Sequence, residues 1–204
     1  MSSTVNPNLP HQGRQARSRA ARAAVREHAL RLFLRDGYSS TTVEMIADTA
    51  GISRRTFFRY FPSKEDVVVM QAEDLSARVV ELVRERDLGE APLASILAAL
   101  QPIIAEYARD PVRTRALLRL TFEAPELRAR SKDLQDAWSR ALAAEVAARH
   151  PARGPLFADV LGAVAQGALQ VALSTWLVHG GDLHKLVADA FGQVARIAEP
   201  DRPA

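Results

Sequence analysis

The stretch Leu30 to Asp66, LRLFLRDGYSSTTVEMIADTAGISRRTFFRYFPSKED, limits the fold more than any other part of the chain. Val43, Ile46, Ala47 and Ala50 recur at the spacing of one helical face, and Gly51 follows where a left-handed C-cap costs glycine least. After that turn Ile52 is an apolar plug. Ser53 can cap a second helix through its hydroxyl, which puts Arg54, Arg55 and Thr56 on the first turn. Phe57 and Phe61, four apart, face one way, and Arg54, Arg55, Phe58, Arg59 and Tyr60 take the rest of the circumference. Two short helices about a tight glycine turn, the second with a buried edge and a basic, aromatic exposed edge, form a helix-turn-helix. In that motif the second helix enters a major groove by its N-terminal residues and the first braces it across the backbone.

Thr41 with Glu44 three residues later reads as a capping box opening the brace helix. Thr41 and Thr42 then sit where hydroxyls and orphan N–H groups can meet a phosphate, although capping alone also accounts for Thr41. The run TTVEMIADTAGISRRTFFRYFPSKEDVV resembles the N-terminal signature of the TetR family of one-component transcriptional regulators. The matching features are Thr41 and Thr42, Ile46-Ala47, Ala50-Gly51, Ser53, Thr56, the aromatics Phe58, Tyr60 and Phe61, and Ser63-Lys64-Glu65. The resemblance spans about the first third of the chain. It implies double-stranded DNA as a partner, with Thr41, Thr42, Ser53, Arg54, Arg55, Thr56, Phe58, Arg59, Tyr60 and Lys64 as the contact residues. Lys64 matches the family's phosphate-contacting lysine. Phe58 stands where the family usually has tyrosine, which removes a phenol hydrogen bond to phosphate but keeps apolar contact with a thymine methyl. The resemblance further implies a dimer that represses transcription at a palindromic operator and leaves when a small molecule binds the remainder of the chain.

Charge follows the same division. Up to Met70 there are eleven Lys or Arg against six Asp or Glu, a net of +5, and the remainder carries −2. A positive end suits polyphosphate, because neutralising phosphates releases condensed counterions. An arginine-rich solvated surface would have the same balance. Cysteine is absent, which fits a reducing cytoplasm and leaves no disulfide framework or thiolate zinc site. The opening MSSTVNPNLPHQGRQARSRA lacks the apolar core of a signal peptide. Residues 1–15 are polar with two prolines and read as a disordered tail. Arg14, Arg17, Arg19 and Arg22 then lead into a helix from about Ala16 to Asp36, as a groove-reaching arm or simply a solvated helix start.

These boundaries give an all-α chain with a three-helix DNA-binding head over 16–62 and a helical effector-binding, dimerising body over 63–199. A long helix from Ser63 to about Arg86, on the order of 36 Å at 1.5 Å per residue, links the two. Leu93 to Tyr107 form an apolar helix that Pro102 should bend. Helices follow from Asp110-Pro111 to about Thr121, from Pro125 to about His150, through LFADVLGAVAQGALQVALSTWLVHGG, and from about Leu183 to Ala198. The third of these is apolar enough to raise a membrane span, but Asp159, Gln166 and Gln170 interrupt it and no basic flank follows. It reads as a buried helix, and no membrane partner is expected.

The last two helices carry more apolar surface than the others can cover. Val160, Val164, Gly167, Val171, Leu186, Phe191 and Val194 are therefore the expected homodimer interface, with Gly162 also allowing close approach. Leu100, Ile104, Tyr107, Phe122, Trp138 and Trp176 are the expected lining of an effector cavity. Arg113, Arg115, Arg119, Arg128, Arg130 and Lys132 form a basic run that is either a solvated face or a seat for an anionic head group such as the phosphates of an acyl-coenzyme A. No catalytic residue, metal or cofactor is called for: there is no phosphate loop, no HExxH and no paired inward Glu-x-x-His, and His179 and His184 flank a Gly-Gly turn as surface residues. Two rivals remain, a helical enzyme or cofactor carrier and a dimeric DNA-binding protein without ligand control. A cavity in the body separates the second from the ligand-responsive reading.

Overall fold

A computed structural model describes residues 9–198, with side chains from Arg17 to Ile197. Nine α-helices and no strand occur among the described residues: α1 (Leu9–Asp36), α2 (Val43–Thr49), α3 (Arg54–Tyr60), α4 (Asp66–Arg84), α5 (Pro92–Ala108), α6 (Pro111–Glu123), α7 (Pro125–Arg149), α8 (Pro155–His179) and α9 (Leu183–Ala198). The chain divides into two compact units between Val68 and Val69, within the first turn of α4.

In the first unit α1 begins at Leu9, earlier than the expected start near Ala16. Residues 9–15 of the expected disordered tail are thus helical, residues 1–8 lie outside the described residues, and Arg17 and Arg19 are exposed on the helix. Gly37, at φ +87°, ends α1, its N–H bonded to the Phe33 carbonyl at 3.1 Å. The turn between α2 and α3 closes by two bonds, Ile52 N–H to Ala47 O at 2.9 Å and Gly51 N–H to Asp48 O at 3.1 Å. This is the Schellman pattern, and φ +64° at Gly51 is the backbone it needs. Phe57 and Phe61 are fully buried with Phe33, Ile46 and Val67. Each such side chain contributes about 1.5–3 kcal/mol by leaving water.

In the second unit α8 packs between α7 and α9, and α5 joins α9. Its core joins Leu75, Val79 and Val83 of α4 to Ile96, Leu100, Ile103 and Ile104 of α5, with Leu142, Val146, Val187 and Phe191 from α7 and α9. By length and composition α8 could cross a membrane, but its Ala158, Ala165, Ala168 and Ala172 are buried against neighbouring helices. Gly162 explains part of that fit. A Cβ there would lie 2.5 Å from the Ser139 carbonyl of α7, so this glycine serves packing within the chain rather than the expected close approach of a second copy. α5 runs unbroken through Pro102, which is exposed, so the hydrogen bond the proline removes falls on the water-facing side. The Glu145 carboxylate, nearly buried on α7, is matched by the Arg84 guanidinium at the end of α4, 2.9 Å away. Arg149 donates to the Arg84 and Arg86 carbonyls, both at 2.7 Å, and so caps the C-terminus of α4.

Candidate DNA interface and effector chamber

Ser53 is the N-cap of α3: its hydroxyl accepts the Thr56 N–H at 3.1 Å and lies 3.0 Å from the Thr56 hydroxyl. Arg54, Arg55, Phe58 and Arg59 are exposed, Thr56 and Tyr60 half-buried, and Phe57 turned inward, so α3 presents the basic face its spacing implied. Arg54 is braced by Glu44 of α2 at 3.0 Å and stacks on the Phe58 ring, 43% exposed. Arg59 lies over Tyr60, 5.2 Å from its centroid. Arg55 has no ion pair among the described residues and is the most available cation of the first turn.

Two expectations for this face change. The N-cap of α2 is Thr42, whose extended backbone lets its hydroxyl accept the Met45 N–H at 3.2 Å. Thr41 is wholly buried, its hydroxyl donating back to the Gly37 carbonyl at 2.8 Å, and Glu44 turns to Arg54 instead of closing a box. A Thr41 side-chain contact with DNA is therefore ruled out, because reaching phosphate would break the turn. Lys64 is also largely committed: its ammonium donates to the Tyr38 and Thr41 carbonyls, each at 3.0 Å, and sits 4.0 Å from the centre of the Tyr38 ring. The Tyr38 hydroxyl donates to the Glu65 carboxylate. Burial alone would raise the Glu65 carboxyl, but the Tyr38 hydroxyl, a backbone bond, Ser63 and Lys64 together bring it below its ordinary value. Ser63 and Asp66 cap the following helix, the Ser63 hydroxyl accepting the Asp66 N–H at 3.2 Å and donating to its carboxylate at 2.9 Å.

In the body, α4 to α8 enclose a cavity of about 260 Å³. Most of its wall is apolar, from Leu75, Val79, Leu100, Ile103, Ile104, Leu118, Phe122, Leu134, Leu169 and Leu173 with Tyr107 and Trp138. The polar wall is Ser76, Thr121, Arg128, Ser131, Lys132, Gln135, Gln166 and Gln170, with no carboxylate among them. Ser76 and Thr121 donate their hydroxyl protons to carbonyls of their own helices, at 2.7 and 3.0 Å. Gln135 donates to the Gln170 oxygen at 3.1 Å across α7 and α8. Burial pushes the Tyr107 phenol up to about 12, the charge of Glu106 adding to it. The Trp138 indole nitrogen is buried, in a residue 5% exposed, and no group among the described residues accepts its proton. Leaving such a donor unpaired costs roughly 1–3 kcal/mol.

Residues 25–69 match the family model for bacterial regulatory proteins of the tetR family, and residues 90–198 match that of the MftR C-terminal domain. The chain is 32% identical to the transcriptional regulator TcmR of Streptomyces glaucescens over 153 residues, 70% of this chain and 67% of that protein. The chain belongs to the TetR family. It is 30% identical to the transcriptional regulator MftR of Mycobacterium tuberculosis over 69% of this chain and 72% of that one. Among solved structures it shares its fold with Thermus thermophilus FadR, a TetR-family repressor in complex with lauroyl-CoA, at TM-score 0.57 and 22% identity over 90% of this chain and 96% of that one. It shares it also with SmeT, the repressor of a Stenotrophomonas maltophilia multidrug efflux pump, at TM-score 0.60 and 19% identity, covering 87% and 89%.

As a TetR-family chain it is a DNA-binding transcriptional regulator, and the body residues can be placed against that role. Leu100, Ile104, Tyr107, Phe122 and Trp138 all line the chamber. Trp176 does not. Its indole donates to the Gly181 carbonyl at 3.1 Å and carries the Arg115 guanidinium over its ring, so it holds the α8–α9 turn. Sequence reasoning misses the amide pair: Gln166 and Gln170, four apart on α8, line the chamber rather than merely interrupting an apolar run. Their spacing on one face is the signal that a polar strip looks inward. The basic run does not form one face, since Arg128 and Lys132 border the chamber whereas Arg115 donates to the Leu177 carbonyl at 2.9 Å.

Of the expected interface residues, Val160 and Val171 are 52% and 60% exposed, Val164 is half-buried, and Gly167 is exposed beside open space. Leu156 and Val178 continue the line, so an apolar stripe at helical spacing runs the length of α8. Phe191 departs from the expectation: it is buried in the body's own core, where it fills space under α8. Leu186 and Val194 pack partly on the same core. His184 is also not a free surface residue, its Nδ1 lying 3.0 Å from the Gln101 amide oxygen.

Proposed function

We propose that this regulator is a repressor that binds a two-fold symmetric operator as a homodimer and is released when a small apolar or amphipathic molecule fills the chamber. The observation that carries the reading is the chamber itself, an apolar cavity with a few convergent polar groups, the usual form of a small-molecule site. The α8 stripe supports the dimer, because contiguous exposed apolar surface along a helix calls for a covering partner. Arg54, Arg55 and Thr56 are the base-reading candidates, with Thr42, Ser53, Arg59 and Tyr60 toward phosphate. The lauroyl-CoA complex of the Thermus FadR supports an amphipathic effector, and Arg128 at the chamber wall suits its anionic end, whereas Lys132 is ion-paired with Asp136. Such a protein works in the cytoplasm, where the chromosome lies.

α4 starts in one unit and lines the chamber in the other with Ala72, Leu75, Ser76 and Val79. A molecule that fills the chamber presses on the helix that leads to the head. It releases DNA only by as much as it prefers the non-binding state, and by reciprocity operator DNA weakens its binding by the same factor. The test is to screen small molecules for displacement of the protein from a duplex it selects, then repeat with Ile104→Trp, which fills the chamber. The expected result is release by a ligand that the filled variant ignores. A ligand that occupies the chamber with equal affinity in the presence and absence of DNA would leave a DNA-binding dimer without ligand control.

A further inference from the structure

Glu44 sets a carboxylate in the DNA-binding head, beside the arginine that opens α3. Its Oε1 lies 3.0 Å from Arg54 Nη1, and the two side chains are 55% and 66% exposed. The pair adds little stability, because exposed ion pairs are solvated and ordering two long side chains costs entropy. A carboxylate in the first turn of α2 suits the helix dipole, but that holds whichever way the side chain turns. What needs a reason is the direction: Glu44 crosses to α3 and engages a base-reading candidate. The guanidinium is held a second time, its Cζ 5.5 Å from the centre of the Phe58 ring one turn along α3. Phe58 in turn stands edge-on against the buried Phe57, with centroids 5.4 Å apart and planes at 87°. Arg54 thus has one terminal nitrogen on a carboxylate and a ring alongside, and its Nε and Nη2 edge has no partner among the described residues. Such an edge is the fork that pairs with O6 and N7 of guanine. On DNA in general the Glu44 carboxylate acts the other way. Among phosphates it is repelled, and a repulsive element of this kind favours the complex in which Arg54 is fully used.

We infer that Glu44 is a positioning residue for base recognition: it holds Arg54 in the conformation that reads one guanine in the major groove, and its charge lowers affinity for DNA at large. This rests on the proposed use of the first turn of α3 for base reading. The test takes the full-length protein, a duplex it selects from a randomised pool, the same duplex with each base pair changed singly, and a random duplex, with affinities read by fluorescence anisotropy at several salt concentrations. In the wild type, changing one particular G·C pair should cost about fivefold to a hundredfold in affinity, the range for a bidentate arginine contact. Arg54→Lys keeps the charge and loses the fork, so it should abolish the preference at that pair and leave random-duplex binding within about twofold. Glu44→Gln keeps the shape and loses the charge. It should lower the preference at the same pair by about threefold or more, the scale of coupling between contacting residues, and should tighten binding to the random duplex by a factor that shrinks as salt rises. Added to Arg54→Lys, it should bring no further loss at that pair, since one residue acts through the other. Full retention of the preference in Glu44→Gln would overturn the inference. So would a changed preference at a pair that Arg54→Lys leaves alone, which would make Glu44 a direct reader of cytosine, or an equal weakening on every duplex, the mark of a merely structural role. If Arg54→Lys shifts no base preference while Arg55→Ala does, the inference fails and base reading by α3 stands.

Discussion

Arg55 and Lys64 bring the same charge to the head and meet different surroundings. Arg55 is exposed on the first turn of α3, so Arg55→Ala should cost about 1–3 kcal/mol of discrimination at one base pair and little on random duplex. Competition binding on matched and single-base-changed duplexes measures this, and an equal loss on both would place Arg55 on phosphate. Lys64 is tied to two carbonyls and a ring. Lys64→Ala should lower head stability by roughly 1–2 kcal/mol, as charge-assisted bonds of this kind contribute, and should weaken every sequence alike through a loosened α1–α2 turn. Thermal unfolding of the isolated variant shows it; an unchanged midpoint with weakened binding would return Lys64 to the phosphate. Tyr107 carries a pH prediction. Its pKa of about 12 lies above its ordinary value near 10, so the folded state keeps its proton longer than the unfolded one. The resulting stability is full below pH 10 and is lost as pH rises toward 12, by up to ~2–3 kcal/mol. Chemical unfolding at pH 9 and pH 11.5 should show this fall shrinking in Tyr107→Phe.

Two glycines on α8 separate packing within the chain from packing between copies. Gly162→Ala drives a Cβ to 2.5 Å from the Ser139 carbonyl, so it should destabilise the body by about 1–3 kcal/mol. Gly167→Ala meets open space and should stabilise the folded chain by up to ~1 kcal/mol, as alanine does inside a helix. If Gly167 lies at a close crossing of two copies, the same change weakens the dimer, which sedimentation at micromolar concentration detects. The periodicity of apolar residues and the Pro and Gly punctuation made all nine helices legible, because each helix begins or ends on a residue whose backbone chemistry is local. Pro92, Pro111, Pro125 and Pro155 each start a helix, and Gly37 and Gly180 follow the ends of α1 and α8. What the sequence could not disclose was which of two adjacent threonines caps α2, or that Phe191 is spent on the core and Trp176 on a turn. Those depend on where other elements lie, and one-dimensional spacing assigns a face without saying what covers it. The chamber was half visible. Its apolar wall followed from helical spacing, whereas Gln135 and Gln170 meet only because α7 packs on α8.

At the scale of the whole molecule the chain joins a positively charged DNA-reading unit to a body with a small-molecule chamber and an uncovered apolar stripe. Two copies related by a two-fold axis would read two inverted half-sites. Their spacing is constrained by the duplex, about 34–36 Å or a multiple of one turn, because both copies of α3 must meet the major groove from one side. Selection of bound duplexes from a randomised pool by the full-length protein tests this directly. The expected outcome is an inverted repeat with half-site centres about 10–10.5 base pairs apart or a multiple of that, bound by two or more copies. A single unrepeated site, or a pool that emerges without sequence preference, would contradict it.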